Sequence, residues 1–226
     1  MNLEQIIKKL KTNSSKKNLE AMTRFGINTN NAIGVSMPTV RKIAKEIGKD
    51  HSLALQLWDS KIHEARILAS VIDEPNKVSE KQFEKWVTDF NSWDICDQCC
   101  GNLLDKTPFA WKKAVELTSR KEEFVKRTGF VLMATLSVHD KEAENKKFER
   151  FFSLIKKHAT DERNFVKKAV NWALRQIGKR NIALNKKAIT AAKEIIKMDS
   201  KAAHWIATDA LRELQGDAVQ KRLRKA

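Results

Sequence analysis

The sequence has no tyrosine, three prolines, seven glycines and three cysteines in 226 residues. With so few turn formers and no apolar–polar alternation of period two, a chain of short strands joined by hairpins is excluded. The cysteines, Cys96, Cys99 and Cys100, lie within five residues. An odd and tight group is a poor disulfide framework and points to small buried thiols in a reducing compartment. Read as C-x-x-C, the group lacks a second C-x-x-C or H-x-H half-site, so no metal is expected. No run approaches the roughly 18 apolar residues of a membrane span. The N-terminal MNLEQIIKKLKTNSSKK reads as an amphipathic helix and not a signal peptide, so the expected location is cytoplasmic, with no membrane partner. The patterns G-x-S-x-G, H-E-x-x-H and the P-loop are missing, which argues against the hydrolase classes built on them.

Acidic residues are scarce as well: 28 Asp+Glu face 44 Lys+Arg, for a formal charge of +16 and a pI of about 9.8. Such an excess implies a polyanionic partner. It is uneven, since residues 141–226 hold 22 basic and 10 acidic side chains. The C-terminal part is therefore the expected contact surface.

What is present is helix after helix. The pattern predicts helices over Asn2 to Lys11, Lys16 to Phe25, Ser36 to Gly48, His51 to Trp58 and Ile62 to Ile72. A capping box at Ser79 and Gln82 opens the next, and Trp93 to Leu104 follows. Thr107 and Pro108 are read as opening another helix. Glu122 to Val138, Glu142 to Lys157, Asp161 to Ile177, Lys186 to Ile196 and Lys201 to Leu214 complete about a dozen.

Within the stretch NFVKKAVNWALRQIGKRN (164–181), helical geometry puts Val166, Val170, Ala173 and Ile177 in one apolar stripe. Lys168, Trp172, Arg175 and Lys179 fall on the opposite side. A tryptophan there either lies flat over lysine stems at the core edge or forms part of a cationic, aromatic surface for nucleic acid. The segments HEARILASVI, KRTGFVLMATL, KKAVNWALRQI and HWIATDALREL can be overlaid, the last three starting at Lys126, Lys167 and His204. Periods of 41 and 37 residues are those of HEAT or armadillo repeats, stacked so that one helix of each pair lines a concave surface. Arg66, Arg127, Lys168, Trp172, Trp205 and Arg212 would then share one groove. In DFNSWDICDQCC (89–100), Trp93 and Asp97 are spaced i,i+4 on one helix face. Asp94 or Asn91 as a cap and Asp97 in an ion pair is the structural alternative.

These residues carry a resemblance. Over essentially its whole length the chain resembles the DNA alkylation repair family of HEAT-like-repeat DNA glycosylases (the AlkD-like proteins), through FNSWDICDQ (90–98), EFVKRTGF (123–130) and DERNFVKKAVNWALRQIGKRN (161–181). The resemblance implies an all-α superhelix, a HEAT/armadillo-like solenoid of about six helix pairs forming a single domain over residues 1–226. It also implies a basic concave groove for duplex DNA containing alkylated bases, and excision of cationic N3- or N7-alkylated purines, 3-methyladenine and 7-methylguanine among them. By the family's pattern W-x-x-x-D falls on Trp93 and Asp97, W-x-x-R on Trp172 and Arg175, and the arginine of the intervening repeat on Arg127. Lys126 departs from the paired arginines expected there, and no tyrosine exists to match the aromatic of the first helices, for which Phe25 is a nearby candidate. Asp97, Trp93 and Trp172 are the expected catalytic residues, and Arg127, Lys168, Arg175, Lys179 and Arg66 the expected DNA contacts. A cytoplasmic monomer with neither cofactor nor metal is expected. The chemistry agrees: glycoside hydrolysis normally takes two carboxylates because the leaving group must be protonated, whereas a cationic base leaves neutral and one carboxylate suffices to stabilise the oxocarbenium-like sugar. The competing reading is a non-catalytic HEAT-like scaffold that binds nucleic acid or an acidic protein.

Overall fold

A computed structural model describes residues 1–225 as helices and turns, with no strand among them. The helices form two compact units, one ending at Pro108 and the other beginning at Phe109.

The first unit holds α1 (Leu3–Thr12), α2 (Lys16–Arg24), α3 (Met37–Ile47), α4 (His51–Asp59), α5 (His63–Ile72), α6 (Glu80–Thr88) and α7 (Trp93–Asn102). The amphipathic N-terminus starts with a complete capping box, Asn2 and Gln5 each receiving the other's backbone amide, which satisfies two of the helix's orphan donors. In α5 every residue but Val71 is buried, and α3, α4 and α7 pack against it. A helix buried on all sides is the core of its unit. Beside it the indoles of Trp58 and Trp86 stack with centroids 4.0 Å apart and planes within 3°, a contact worth ~0.5–1.5 kcal/mol beyond the area it buries.

The second unit holds α8 (Ala110–Glu116), α9 (Glu123–His139), α10 (Asn145–Lys157), α11 (Asn164–Gly178), α12 (Ile182–Ile195), α13 (Lys201–Leu214) and α14 (Asp217–Lys225). Here α9 is central, packed along α11 and α8, while α11 in turn packs on α12 and α13. The overlaid segments of the sequence are α5, α9, α11 and α13.

Side chains tie each repeat of the second unit to the next. The cap residue of α11, Arg163, makes no side-chain cap; instead Glu123 of α9 accepts the Phe165 amide at 3.4 Å. Glu162 likewise accepts the Ala202 amide at the start of α13, at 3.0 Å. A carboxylate at a helix N-terminus satisfies an orphan amide and opposes the positive end of the helix dipole. At the other end Arg180 donates to Ser137 O at 3.1 Å and Arg222 to Lys179 O at 2.7 Å, both bonds spanning 43 residues.

Several helix boundaries differ from the sequence expectation, each for a local reason. Thr107 donates to Leu104 O at 2.7 Å and so closes a 3-10 turn over Leu104–Lys106 rather than opening α8. Asp161 accepts from the Arg163 amide and guanidinium, an Asx arrangement that holds it outside α11. Asn181 caps Leu184 at 3.0 Å, starting α12 four residues earlier than expected. Only half of the Ser79 capping box forms: Ser79 accepts the Gln82 amide, but the Gln82 side chain donates to Asp73 at 2.7 Å. Helix α14 was not expected at all, because DAVQKRLRK buries one apolar residue, Leu223.

Candidate nucleic-acid interface

In the first unit the site is built on the N-terminus of α7. Glu64, buried in α5, accepts the amides of Ile33, Gly34 and Val35, the Gly34 contact at 2.6 Å. This fastens the loop 26–35 to the core. The loop is joined to α7 by a second chain of bonds: Asn28 N donates to Ser92 Oγ (3.3 Å), Ser92 Oγ to Asp94 Oδ1 (2.7 Å), and Asp94 Oδ2 meets His63 Nε2 (2.7 Å). Burial raises the Asp94 pKa, but the bond and charge of His63, with Ser92 and the Ile95 amide, outweigh it and hold the carboxyl below its ordinary value. Asp94 is thus a structural carboxylate.

The outward face of α7 carries Trp93 and, one turn on, Asp97, both half-buried. The Trp93 indole N–H donates to Phe25 O at 3.1 Å, fixing the ring beside a phenylalanine that is 72% exposed. The inward face carries Ile95 and the three fully buried cysteines, none of which is in a disulfide. Burial, aided for Cys100 by Cys96, pushes the Cys99 and Cys100 thiols far up, so they stay protonated and inert. No group of three His, Cys, Asp or Glu side chains able to hold a metal occurs among the described residues.

In the second unit α11 divides as its periodicity predicts. Val166, Val170, Ala173 and Ile177 are fully buried; Lys168 is exposed and Trp172 half-buried. Lys167 reaches over the ring of Trp205 on α13, 5.3 Å from its centroid, and that indole is 41% exposed. An ammonium–indole contact thus joins α11 to α13. Lys126 is paired with Asp161 at 3.4 Å.

The arginines are placed differently from the expectation. Arg66 is buried, donating to Trp58 O and Asp89 O, with its guanidinium 5.1 Å from the Trp58 ring centre. It ties α4, α5 and the end of α6 together, a structural role at a residue expected among the DNA contacts. Arg127 is 5% exposed and donates to Phe165 O at 2.6 Å, joining α9 to the first turn of α11. Arg175 and Lys179 both pair with Glu213 of α13, Lys179 at 2.5 Å, and Arg175 also lies 3.5 Å from Asp209. Burial raises the Glu213 pKa, yet Lys179 and Arg175 outweigh it and leave it lowered. Sequence reasoning missed Glu213, although its position 38 residues after Arg175, one repeat on, was the available signal.

The model of a family described as DNA alkylation repair enzyme matches residues 6–214. No curated protein matches. Among solved structures, one described as "A new family of proteins related to the HEAT-like repeat DNA glycosylases with affinity for branched DNA structures" superposes with a TM-score of 0.79 at 21% identity, covering 95% of this chain and 96% of that one. The all-α, HEAT-like repeat fold follows from that likeness. An engineered protein covers 91% of this chain and 98% of its own at TM-score 0.41 and 16% identity. No helix among the described residues is long and apolar enough to cross a membrane.

Proposed function

Since the chain belongs to the DNA alkylation repair enzyme family, we propose that it is a DNA glycosylase releasing cationic N3- and N7-alkylated purines from duplex DNA, its two units working as one repeat domain. The observation that carries this reading is the pair of Trp93 and Asp97, one turn apart on α7 and both half-buried. Asp94 is bound by His63 and Ser92. A single carboxylate beside an indole matches a reaction whose leaving group needs no acid. In that step the bond from C1′ to the purine nitrogen breaks with its electron pair going to the base, which departs neutral. Asp97 stabilises the positive sugar and orients a water on its far face; the water oxygen bonds to C1′ and its proton passes to the carboxylate or to solvent. In the first unit Trp93 offers a π face to the cation, and in the second Trp172 offers one to the bound DNA, each worth ~0.5–2 kcal/mol. Lys168 contacts backbone phosphate, while Arg127 acts indirectly by holding α11 against α9.

The test is base release from methylated duplex DNA. Expected are free 3-methyladenine or 7-methylguanine and no uracil or hypoxanthine, whose neutral nucleosides need protonation. Asp97→Asn should slow release by ~10²–10³ with DNA affinity unchanged or higher, and Trp172→Ala should weaken both. Full activity of Asp97→Asn, or efficient uracil release, refutes the mechanism.

A second reading is a non-catalytic binder of DNA. It is favoured by the pairing of Arg175 and Lys179 with Glu213 and by the affinity for branched DNA described for the structural relative. Tight binding of a three-way junction with no base release from any alkylated duplex would select it.

A further inference from the structure

The second unit contains a cleft of about 750 Å³ that lies at the far end of α11 and is lined by Lys141, Gln176, Lys179, Arg180, Asn181 and Arg222 among others. Apart from Lys179, which is paired with Glu213, its cations are held differently. Arg180 donates to three backbone carbonyls, of Ser137, Lys141 and Ala143, and its guanidinium lies 4.6 Å from the centre of the Phe148 ring. Arg222 donates to Lys179 O. Carbonyl oxygens satisfy N–H groups but carry no net charge, so among the described residues neither guanidinium has a carboxylate at ion-pair distance, although Asp140 and Glu142 act on Arg180 from farther away. Lys141 is exposed at the rim. One carboxylate, Glu144, lines the cleft, and Asp140 nearby is held by the Trp111 indole N–H at 3.0 Å and the Ala143 amide. Helix α14, which closes the cleft with Arg222 and Leu223, also exposes Lys221, Arg224 and Lys225.

We propose that this cleft is a second phosphate-binding site, which holds the backbone of the same DNA beyond the segment met by Lys168 and Trp172. Along α11 the eleven residues from Lys168 to Lys179 span roughly 16 Å at 1.5 Å per residue. That is about five phosphate steps along one strand. The cleft therefore lengthens the contacted stretch without adding to the chemistry. Its partner is a polyanion with regularly spaced charges, because a single anion would leave part of the set Lys141, Arg180 and Arg222 unmatched.

This inference rests on the reading of the chain as a DNA-binding repair protein, and the experiment separates the two. Duplex affinity is measured against salt for the full chain, Lys168→Ala, Lys141→Glu, Arg222→Gln and Arg222→Lys, with hydroxyl-radical footprints of each complex. Arg224→Glu serves as a control of equal charge change to Lys141→Glu, placed on the opposite side of α14 from Arg222. Lys141→Glu and Arg222→Gln should each lower the slope of log K against log[salt] by ~0.9 and shorten the footprint by about five base pairs at one end, with Arg222→Lys restoring much of the loss. The Lys141 side chain makes no bond among the described residues, and its backbone carbonyl, which accepts from Arg180, is kept in the variant, so its result stands even where Arg222→Gln unfolds α14. If Lys168→Ala changes binding but Lys141→Glu does not, or if Arg224→Glu has as large an effect, the second site is refuted while DNA binding stands. If the unaltered protein binds no duplex, the parent reading falls with it. Inorganic phosphate competing better than its ionic strength explains would make the cleft a free-anion site and also overturn the proposal.

Discussion

Glu213 governs how much positive charge α11 can offer to a polyanion. Its carboxylate engages Arg175 and Lys179 together, and a phosphate can recruit either cation only by displacing it. Replacing Glu213 by Gln keeps the shape and removes the competitor for Lys179 and the nearer one for Arg175, which also faces Asp209, so duplex DNA should bind more tightly and the salt slope should steepen by about one phosphate, ~0.9. Weaker binding by Glu213→Gln would instead mean that the carboxylate orients the two cations for DNA. Asp94 makes a pH-dependent contribution of another kind. Its pKa is held below the ordinary value in the folded chain, so its stabilisation is complete above the unfolded value of ~3.9 and is lost as pH falls toward the folded one. Asp94→Asn should therefore cost on the order of 1–3 kcal/mol near neutrality and progressively less below about pH 4, as followed by urea denaturation across pH. A gap that stays constant down to pH 2 would contradict this account.

At the scale of elements, close packing of α9 depends on one missing side chain. A Cβ on Gly129 would lie 2.9 Å from the Thr118 backbone nitrogen and 3.2 Å from Ala114 O, so α9 could not approach α8 and the 3-10 turn Leu117–Ser119. Backbone atoms cannot swing aside as a side-chain tip can. Gly129→Ala should destabilise the chain by ~1–3 kcal/mol, the usual cost of overpacking, despite alanine's better helix propensity; an unchanged or raised melting temperature would show that the turn gives way. This glycine sits inside EFVKRTGF, where sequence reasoning saw a motif but had no means of seeing the close approach. Helix cores were legible because the apolar stripe of α11 depends only on local periodicity. Helix starts were less so: Glu123 and Glu162 cap helices about 40 residues ahead of them, and no local rule reaches that far.

For the whole molecule, composition and periodicity pointed to a basic, all-helical chain and the overlaid segments to repeats, while the family signatures put Trp93 and Asp97 on α7 and Trp172 and Arg175 on α11. Burial was the part that could not be read. Arg66 and Arg127 carry the same charge as Lys168, but they satisfy carbonyls inside the fold, and charge alone does not distinguish the two uses. Helix α14 escaped notice because its cohesion with the preceding repeat rests on Leu223 and on the bond from Arg222 rather than on an apolar stripe. That bond and the matching one from Arg180 have donors 42 residues apart and acceptors 42 residues apart. Both bonds reach from one repeat back to the repeat before it. Nearest-neighbour stacking lets such arrays grow by whole units, so relatives that lengthen or shorten this unit should do so by complete helix pairs, about 40 residues at a time, with other insertions confined to the turns between helices.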